Sequence, residues 1–437
     1  LVSGAVFGLA VSGPAAAQDD SSDVFEEIVV LAQKRAQNIM DVPVAVTAVT
    51  GTQINDAGIK DMADLQQNVP NLIVSGSQTT TTSTFSIRGI SSTSNNFGVE
   101  SSVGLYVDGV YRSRQSSMIN DLIDVEAVEV LRGPQGTLFG KNTPAGALQV
   151  RTVAPSHEQD GFIDVTAGDF GLIKLSGAAN FSLTDNLAMR GTVFYTERDG
   201  YVDDFTLGKD VYNDRDRVGG RLQFLYEPSD DFSMRVIADY SEIDEICCAA
   251  VTMVDGIYEQ SNIAQFPNPD FFGSDFLLLN FGGNVFTDFP YPQAIVDTLN
   301  AITPGTVHTG VGVDDHLASM NFLPVSQNED TGLSIEFNKT LSSGATFTSI
   351  TAFRSFDTYD NSDVDFSDVD LVARINDAKQ KSISQEFRLA GEFGDGNNYV
   401  VGAYYFGQEI DQSTDTIGTP FLEAYLNNNP DIQDVVT

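Results

Sequence analysis

Basic residues, cysteine, tryptophan and long apolar runs are all scarce in this sequence, and each scarcity removes a class of protein. Of 437 residues, 23 are Lys or Arg against 61 Asp or Glu, a formal charge of −38. A surface of that sign repels phosphate, which argues against nucleic acid as a partner. Two cysteines cannot staple a chain of this length, so neither a disulfide framework nor a repeated Cys/His metal fold is available. There is no G-x-S-x-G elbow, no H-E-x-x-H helix and no Gly-rich dinucleotide fingerprint, so the patterned active sites are missing and the chain does not read as an enzyme. After the N-terminus no stretch is long and apolar enough for a spanning helix. A membrane form must therefore cross as β-strands.

Leu1 to Ala17 form an apolar stretch broken by Pro14 and closed by small residues, with Ala15 and Ala17 placed as an A-x-A cleavage site before Gln18. That is a secretory signal lacking its basic start. The chain opens on Leu1 rather than Met and reads as a fragment.

Two kinds of pattern follow. From about Gln53 to Arg151 the signals are mixed α/β. Thr52 is placed to cap a helix through Ala57, and a second turn from Asp61 to Leu65 stops before Pro70. Short β runs come at Leu72–Val74, Phe85–Ile90, Val103–Val110 and Ala127–Leu131. After Pro155 the chain turns to long alternating segments. Phe232, Met234, Val236, Ala238 and Tyr240 share one face, with Ser233, Arg235 and Asp239 on the other. Leu222, Phe224 and Tyr226 oppose Arg221 and Gln223, and Leu333, Ile335 and Phe337 oppose Ser334, Glu336 and Asn338. Weaker versions occur at 162–167, 172–183, 187–197, 345–356, 383–389 and 399–408.

Roughly nine such strands of about ten residues, apolar outward and polar inward, match a transmembrane β-barrel. A soluble antiparallel sandwich also alternates. The barrel is favoured by the secretory start and by connections that alternate between tight turns, at 228–231 and 342–344, and long loops such as 242–331. The predicted fold class is mainly β: an α/β domain followed by antiparallel barrel strands.

The motifs of the first half resemble those of the TonB-dependent outer-membrane receptors, in which a globular plug precedes and sits inside a large barrel. Glu26-Glu27-Ile28-Val29-Val30-Leu31-Ala32 is similar to the family's Ton box, with Leu31 where Thr is commoner. It is an extended β-branched run able to add itself as a strand to a partner's sheet edge. Taken alone, it reads equally as an ordinary first strand. Ser86-Ile87-Arg88-Gly89-Ile90 and the stretch Gly104 to Tyr111, with Asp108-Gly109 inside it, continue the likeness. The run Val128 to Gly146 resembles the family's most distinctive plug signature, with Glu129, Arg132, Gly133, Pro134, Gly136 and Gly140 within it. Gly133, Gly136 and Gly140 are expected to adopt backbone conformations closed to other residues, and Pro134 to set the turn. Arg88, Glu129 and Arg132 are charges in apolar β context and should pair. The resemblance places their partners on the inner barrel wall, with Glu386 a candidate.

Other groupings carry less. Gly140-Lys141 is no phosphate loop, because three residues rather than four separate Gly136 from Gly140 and Asn142 follows the lysine. His308 and His316 share a loop with Asp314 and Asp315 and read as solvated loop residues. The acidic run Asp357 to Asp370, through Asp360, Asp363, Asp365 and Asp368, has the oxygen ligands of a calcium loop but not its glycine. It reads as an exposed loop. Cys247 and Cys248 are adjacent; they form a strained vicinal ring or bond to cysteines outside this stretch.

The resemblance implies domains at 1–17 (signal), 18–51 (periplasmic leader with the Ton box at 26–32), 52–154 (plug) and 155–437 (part of a barrel of about 22 strands). It implies active import across the bacterial outer membrane, driven by the TonB energy-coupling complex. The cargo class is a ferric siderophore, with glycans and cobalamin-like nutrients as competitors and no resident cofactor. Tyr258, Phe266, Phe271 and Phe272 would offer it aromatic contacts from an outer loop. A passive porin or adhesin would share the barrel without the Ton box, and a secreted β-sandwich would share only the alternation.

Overall fold

The computed structural model describes residues 28–76, 79–92, 99–118, 122–204, 207–249, 316–318, 320–364, 372–394 and 397–418. The secretory stretch 1–17, Glu27, Tyr258, Phe266, Phe271, Phe272, His308, Asp314, Asp315, Asp365, Asp368, Asp370 and residues 419–437 lie outside them.

The first half contains β1 (Val29–Val30), β2 (Gln37–Asn38), β3 (Val46–Thr50), β4 (Leu72–Ser75), β5 (Thr84–Ile87), β6 (Val103–Val107), β7 (Val110–Arg112), β8 (Val125–Arg132) and β9 (Gly146–Thr152). Three short helices join them: α1 (Gly51–Asp56), α2 (Met62–Leu65) and α3 (Gly136–Phe139). The helix cap is Thr50 rather than Thr52. Thr50 Oγ1 accepts from the Gln53 amide and Gln53 Oε1 accepts from the Thr50 amide, because only Thr50 has a glutamine three residues on. This cap also draws β3 into the main sheet, ahead of the boundary at 52. The sheet runs β3-β8-β9-β6-β7, with β6 and β9 parallel and the other pairs antiparallel. Its core is Phe85, Ile87, Leu105, Val128, Val130 and Leu148, covered by Ile54, Met62 and Leu65.

Two predicted strands are cut short by turns. The run 103–110 breaks at Asp108-Gly109, whose φ values of 48° and 78° make the two-residue turn that matches strand twist. The run 85–90 ends at Ile87, since Arg88 and Gly89 also have positive φ.

The second half contains β10 (Asp160–Ala167), β11 (Ile173–Thr184), β12 (Leu187–Arg198), β13 (Val202–Asp204), β14 (Gly208–Tyr212), β15 (Arg215–Ser229), β16 (Phe232–Glu245), β17 (Leu317–Ala318), β18 (Val325–Thr340), β19 (Thr346–Asp363), β20 (Val372–Phe393) and β21 (Asn397–Gly418). Nine of these, β10-β11-β12-β15-β16-β18-β19-β20-β21, pair antiparallel in one sheet. Each of the nine alternating segments seen in the sequence falls on one of them, with only Leu172 and Ala345 outside the strand ends. The alternation is inverted relative to a soluble sheet. Ile163, Val193 and Val401 are 82%, 62% and 65% exposed, while Gln223, Asp330 and Asn180 on the opposite face are at most 4% exposed. Water on the outside would make that arrangement untenable; hydrocarbon outside and a filled polar lumen explain it. Phe232, Phe337, Phe347 and Phe387 stack in sequence across four neighbouring strands at 5.9–6.4 Å. They lie toward the tight turns, where an aromatic girdle belongs.

At the other end, β13, β14 and β17 form a separate small sheet packed by Val202, Tyr212, Ala318 and Met320. The first part of the acidic run, Asp357–Asp363, is not the exposed loop predicted for it. β19 and its neighbours continue the ladder through Asp357–Asp363, so Asp360 faces inward, fully buried, and accepts from Ser326 Oγ at 2.6 Å and from Thr81.

Candidate functional site

Charged side chains fill the seam between the small domain and the strand wall. Arg112, at the end of β7, binds Asp330 on β18 at 2.9 Å and Asp239 on β16 at 3.3 Å. Arg354 on β19 binds the same two carboxylates at 2.7 and 2.8 Å. Gly332 lies between Asp239 and Arg354 in the ladder, and a Cβ there would overlap the guanidinium. Asp124 binds Arg190 at 2.6 Å and accepts from Thr192 Oγ1 at 2.7 Å. Asp108 accepts from the Thr152 amide and hydroxyl, with Arg235 of β16 at 3.4 Å. Each charge is withdrawn from water, and removing one partner would strand the other.

The sequence singled out Arg88, Glu129 and Arg132 for this pairing with the wall, and among the described residues none of the three makes it. Arg88 is exposed on its turn, and neither it nor Arg132 forms an ion pair among the described residues. Arg132 Nε is buried without a hydrogen bond. Glu129 pairs within the small domain, with Arg151 at 3.4 Å. Glu386 binds Lys34 at 3.0 Å and Arg388 at 2.6 Å, not the plug arginines. Of the plug residues that do reach the wall, Arg112 and Asp124 belong to no motif, whereas Asp108, paired with Arg235, lies in the stretch Gly104 to Tyr111 that the sequence singled out. Their signal was indirect: Arg235 and Asp239 stood on the polar face of a strand that needed counter-charges.

Ile28, Val29, Val30 and Leu31 enter the structure as part of a stowed hairpin. β1 pairs with β2 through Val29–Asn38 and Val30–Gln37. Val30 and Ala32 are fully buried against Tyr106, Leu131 and Phe139. The Leu31 amide donates to both oxygens of Glu129, at 2.9 and 3.0 Å. Burial pushes the Glu129 carboxyl up, opposed by that hydrogen bond and by Arg151. Lys34, over the rings of Phe139 (4.9 Å) and Tyr106 (5.5 Å), ties the hairpin to β20 through Glu386. Burial lowers the Lys34 pKa against the pull of Glu386.

The glycine-rich signature wraps this hairpin's floor. Gly89, Gly109, Gly133, Gly140 and Gly146 have positive φ, whereas Gly136 opens α3 in an ordinary conformation and needs no special freedom. At Gly146 space decides as well, since a Cβ would strike the Leu131 carbonyl of the paired strand β8. Pro134 lies in the exposed link between β8 and α3. Tyr106 donates to the Phe139 carbonyl at 2.7 Å, and Asn142 donates to the Tyr111 hydroxyl at 2.8 Å. Tyr111 meets Phe406 of β21 edge-on at 5.4 Å, so the signature is seated against the wall.

At the end with the long connections a cavity of ≈ 470 Å³ opens between the small domain and β12, β15 and β16. Cys247 and Cys248, bonded to each other, form part of its rim. His316 is exposed where the chain enters β17.

Residues 38–147 match the family model described as TonB-dependent Receptor Plug Domain. The pesticin receptor of Yersinia pestis is 33% identical over 160 residues, covering 37% of this chain and 23% of that protein. The ferripyoverdine receptor of Pseudomonas aeruginosa is 23% identical over 237 residues, covering 52% of this chain and 26% of that protein. In structure, the ferric yersiniabactin uptake receptor of Yersinia pestis superposes with a TM-score of 0.67 at 20% identity, covering 86% of this chain and 50% of that one. The chain thus spans about half of the solved receptor it superposes on. Residues 38–147 are thus a TonB-dependent receptor plug domain, and the chain as a whole has the plug-against-barrel fold of the outer-membrane receptor it superposes on.

Proposed function

We propose that the protein imports a ferric siderophore across the outer membrane, powered by the TonB complex acting on the run Glu27 to Leu31. One observation carries this reading. A single plug joins a ligand-sized cavity at the long-connection end to a stowed β-hairpin, whose Lys34 is anchored in the turn half of β20. Residues 26–32 serve as the energy-receiving segment, the plug extends to about 154, and the wall begins at about 155.

The steps follow from differential stability. In the stowed state β1 already has a strand partner and Val30 is buried, so it cannot add to another sheet. Presentation requires breaking the bidentate contact to Glu129 and the Lys34–Glu386 pair. A ligand that favours the released state shifts that equilibrium by its difference in affinity for the two states. The pull then acts on a plug whose Arg112, Asp124 and Asp108 remain ion-paired to the wall. The signature glycines and the Arg88 turn take up the change in the part of the plug that is not so held. No bond is made or broken, so the protein works by binding and movement. A passive pore has no use for an ion-paired plug.

The test is uptake of radiolabelled ferric siderophores by cells expressing the full-length receptor and its Val29→Pro variant. Proline removes the backbone donor an augmenting strand needs. Uptake should fall to the level of cells lacking TonB; undiminished uptake would sink active import. Import of a glycan or cobalamin instead, with the same dependence, would replace the cargo and keep the mechanism.

A further inference from the structure

We propose that Asp360 is a proton-operated latch between the plug segment 79–83 and wall strands β18 and β19: protonated, it grips the segment, and ionised, it lets the segment lift. This goes beyond the import reading and does not depend on it.

The segment leads into β5 and consists of Thr79, Thr80, Thr81, Thr82 and Ser83, all buried. Hydroxyls withdrawn from water need partners, and this run finds them on the wall. The Thr80 amide donates to Ser326 Oγ of β18 at 3.0 Å, and Thr80 Oγ1 lies 2.6 Å from the same oxygen. Ser326 Oγ in turn donates to Asp360 Oδ1 of β19 at 2.6 Å, and Thr81 Oγ1 donates to Asp360 Oδ2. Both paths from plug to wall end on one carboxylate.

That carboxylate has no cation. Asp108, Asp124, Asp239 and Asp330 each meet an arginine. Asp360, with no exposed surface, meets no basic side chain among the described residues. The charged groups on the strands around it are Asp330 on β18, Glu245 on β16 opposite Ser326, Asp363 on β19, and Arg374 and Asp377 on β20 to either side of its ladder partner Asn376. Asp330 and Glu245 are themselves held by arginines, and the plug segment contributes no titratable group. The shift of Asp360 comes from none of these: burial pushes its carboxyl up to about 6, against the hydrogen bonds of Ser326, Thr81 and Thr79. Asp377 and Lys379 are exposed on the outward face at this level, so this rung stands above the apolar belt, outside the membrane.

An uncompensated buried charge is costly, and a proton removes the cost. The hydroxyls serve either state. An ionised Asp360 only accepts, from Thr81 and Ser326. A protonated one donates to Thr81 Oγ1, whose own proton turns to Thr79 Oγ1 at 2.9 Å, and the Thr79 proton turns to Thr82 Oγ1 at 3.3 Å, so no group loses its partner. The folded carboxyl binds its proton more tightly than a free one, whose value is 3.8. Stabilisation of the closed segment is therefore complete below that value and is lost as the pH rises through about 6.

The test is hydrogen exchange of the purified full-length receptor in detergent from pH 4.5 to 7.5, with each rate corrected for the intrinsic pH dependence of exchange. Opening at the Thr80 amide should rise about tenfold between pH 5 and 7.5. Asp360→Asn, which cannot ionise, should hold the segment closed at every pH. Thr81→Val deletes a bond that favours the ionised form and should move the midpoint to higher pH; it reads the same titration should Asp360→Asn fail to fold. Thr80 protection indifferent to pH in the wild type, a pH response that survives Asp360→Asn or vanishes in Asp214→Asn, or a midpoint unmoved in Thr81→Val would each overturn the proposal. Protection that follows added sodium or calcium at constant pH would give Asp360 a metal ion in place of the proton, and would overturn it as well.

Discussion

Single charges hold the plug to the wall, and their chemistry can be tested one residue at a time. Arg354 and Arg112 share Asp239 and Asp330, with Arg354 the closer to both. Arg354→Met should cost about 3 kcal/mol of stability, as breaking a buried pair does. Arg112→Met should cost less, and the double variant should depart clearly from additivity in melting experiments, because both arginines serve the same carboxylates. Glu129 is a second case. Glu129→Ala removes the acceptor of the Leu31 amide, a charge-assisted contact of about 2 kcal/mol. Hydrogen exchange at Leu31 should quicken by at least an order of magnitude while exchange in β8 and β9 stays slow. Asp214 gives a pH signature. Its folded pKa of about 6 lies above the ordinary 3.8, so the native state holds a proton that the unfolded state releases between those values. Stability should fall as pH rises through that window and level off above it. Asp214→Asn should flatten the slope in melting curves taken from pH 4 to 7. The sequence showed that charges at Arg235 and Asp239 sat on a polar face; it did not show that Arg112 meets them, since Arg112 lies in no motif.

At the scale of elements, periodicity was the dependable guide. Alternation with a period of two identifies a strand without any knowledge of its neighbours, which is why all nine wall segments were legible. Their ends were not. β19 runs past its apolar stretch into acidic sequence and β20 past its own into a stretch with Arg374, Lys379 and Lys381, because the ladder continues as long as a partner strand is opposite and inward carboxylates such as Asp360 find hydroxyls. The plug strands were cut where positive φ makes a turn at Arg88-Gly89 and Asp108-Gly109. Gly146 lies where β9 begins, with no room for a side chain against Leu131 and a φ of 157°. Gly146→Val should destabilise the plug by more than 1 kcal/mol, read as lowered resistance to protease while the wall strands remain intact in detergent. Gly136→Ala, at the start of α3 with nothing within 4 Å, should be tolerated. These two glycines look alike in the motif and differ in backbone conformation and in the space around them.

The whole molecule is a wall whose apolar face looks outward and whose polar face is matched to a plug. That inversion concentrates buried charge along the seam, where the outer cavity, the ion-paired lock and the stowed hairpin all lie. The hairpin ties residue 34 to residue 386, which are 352 positions apart. Lys34→Met should therefore loosen the hairpin although it lies outside the run that TonB would grip. Protease cleavage near residue 35 in intact outer membranes should rise several-fold without ligand. The sequence by itself determined the class of fold and the plug domain, because alternation and a glycine-rich motif are local properties that short stretches carry in full. Only the tertiary structure decided which charges pair and whether the first strand is free or stowed. Electrostatic partnership depends on distance in space, and in a barrel that distance is set by strand register rather than by position along the chain.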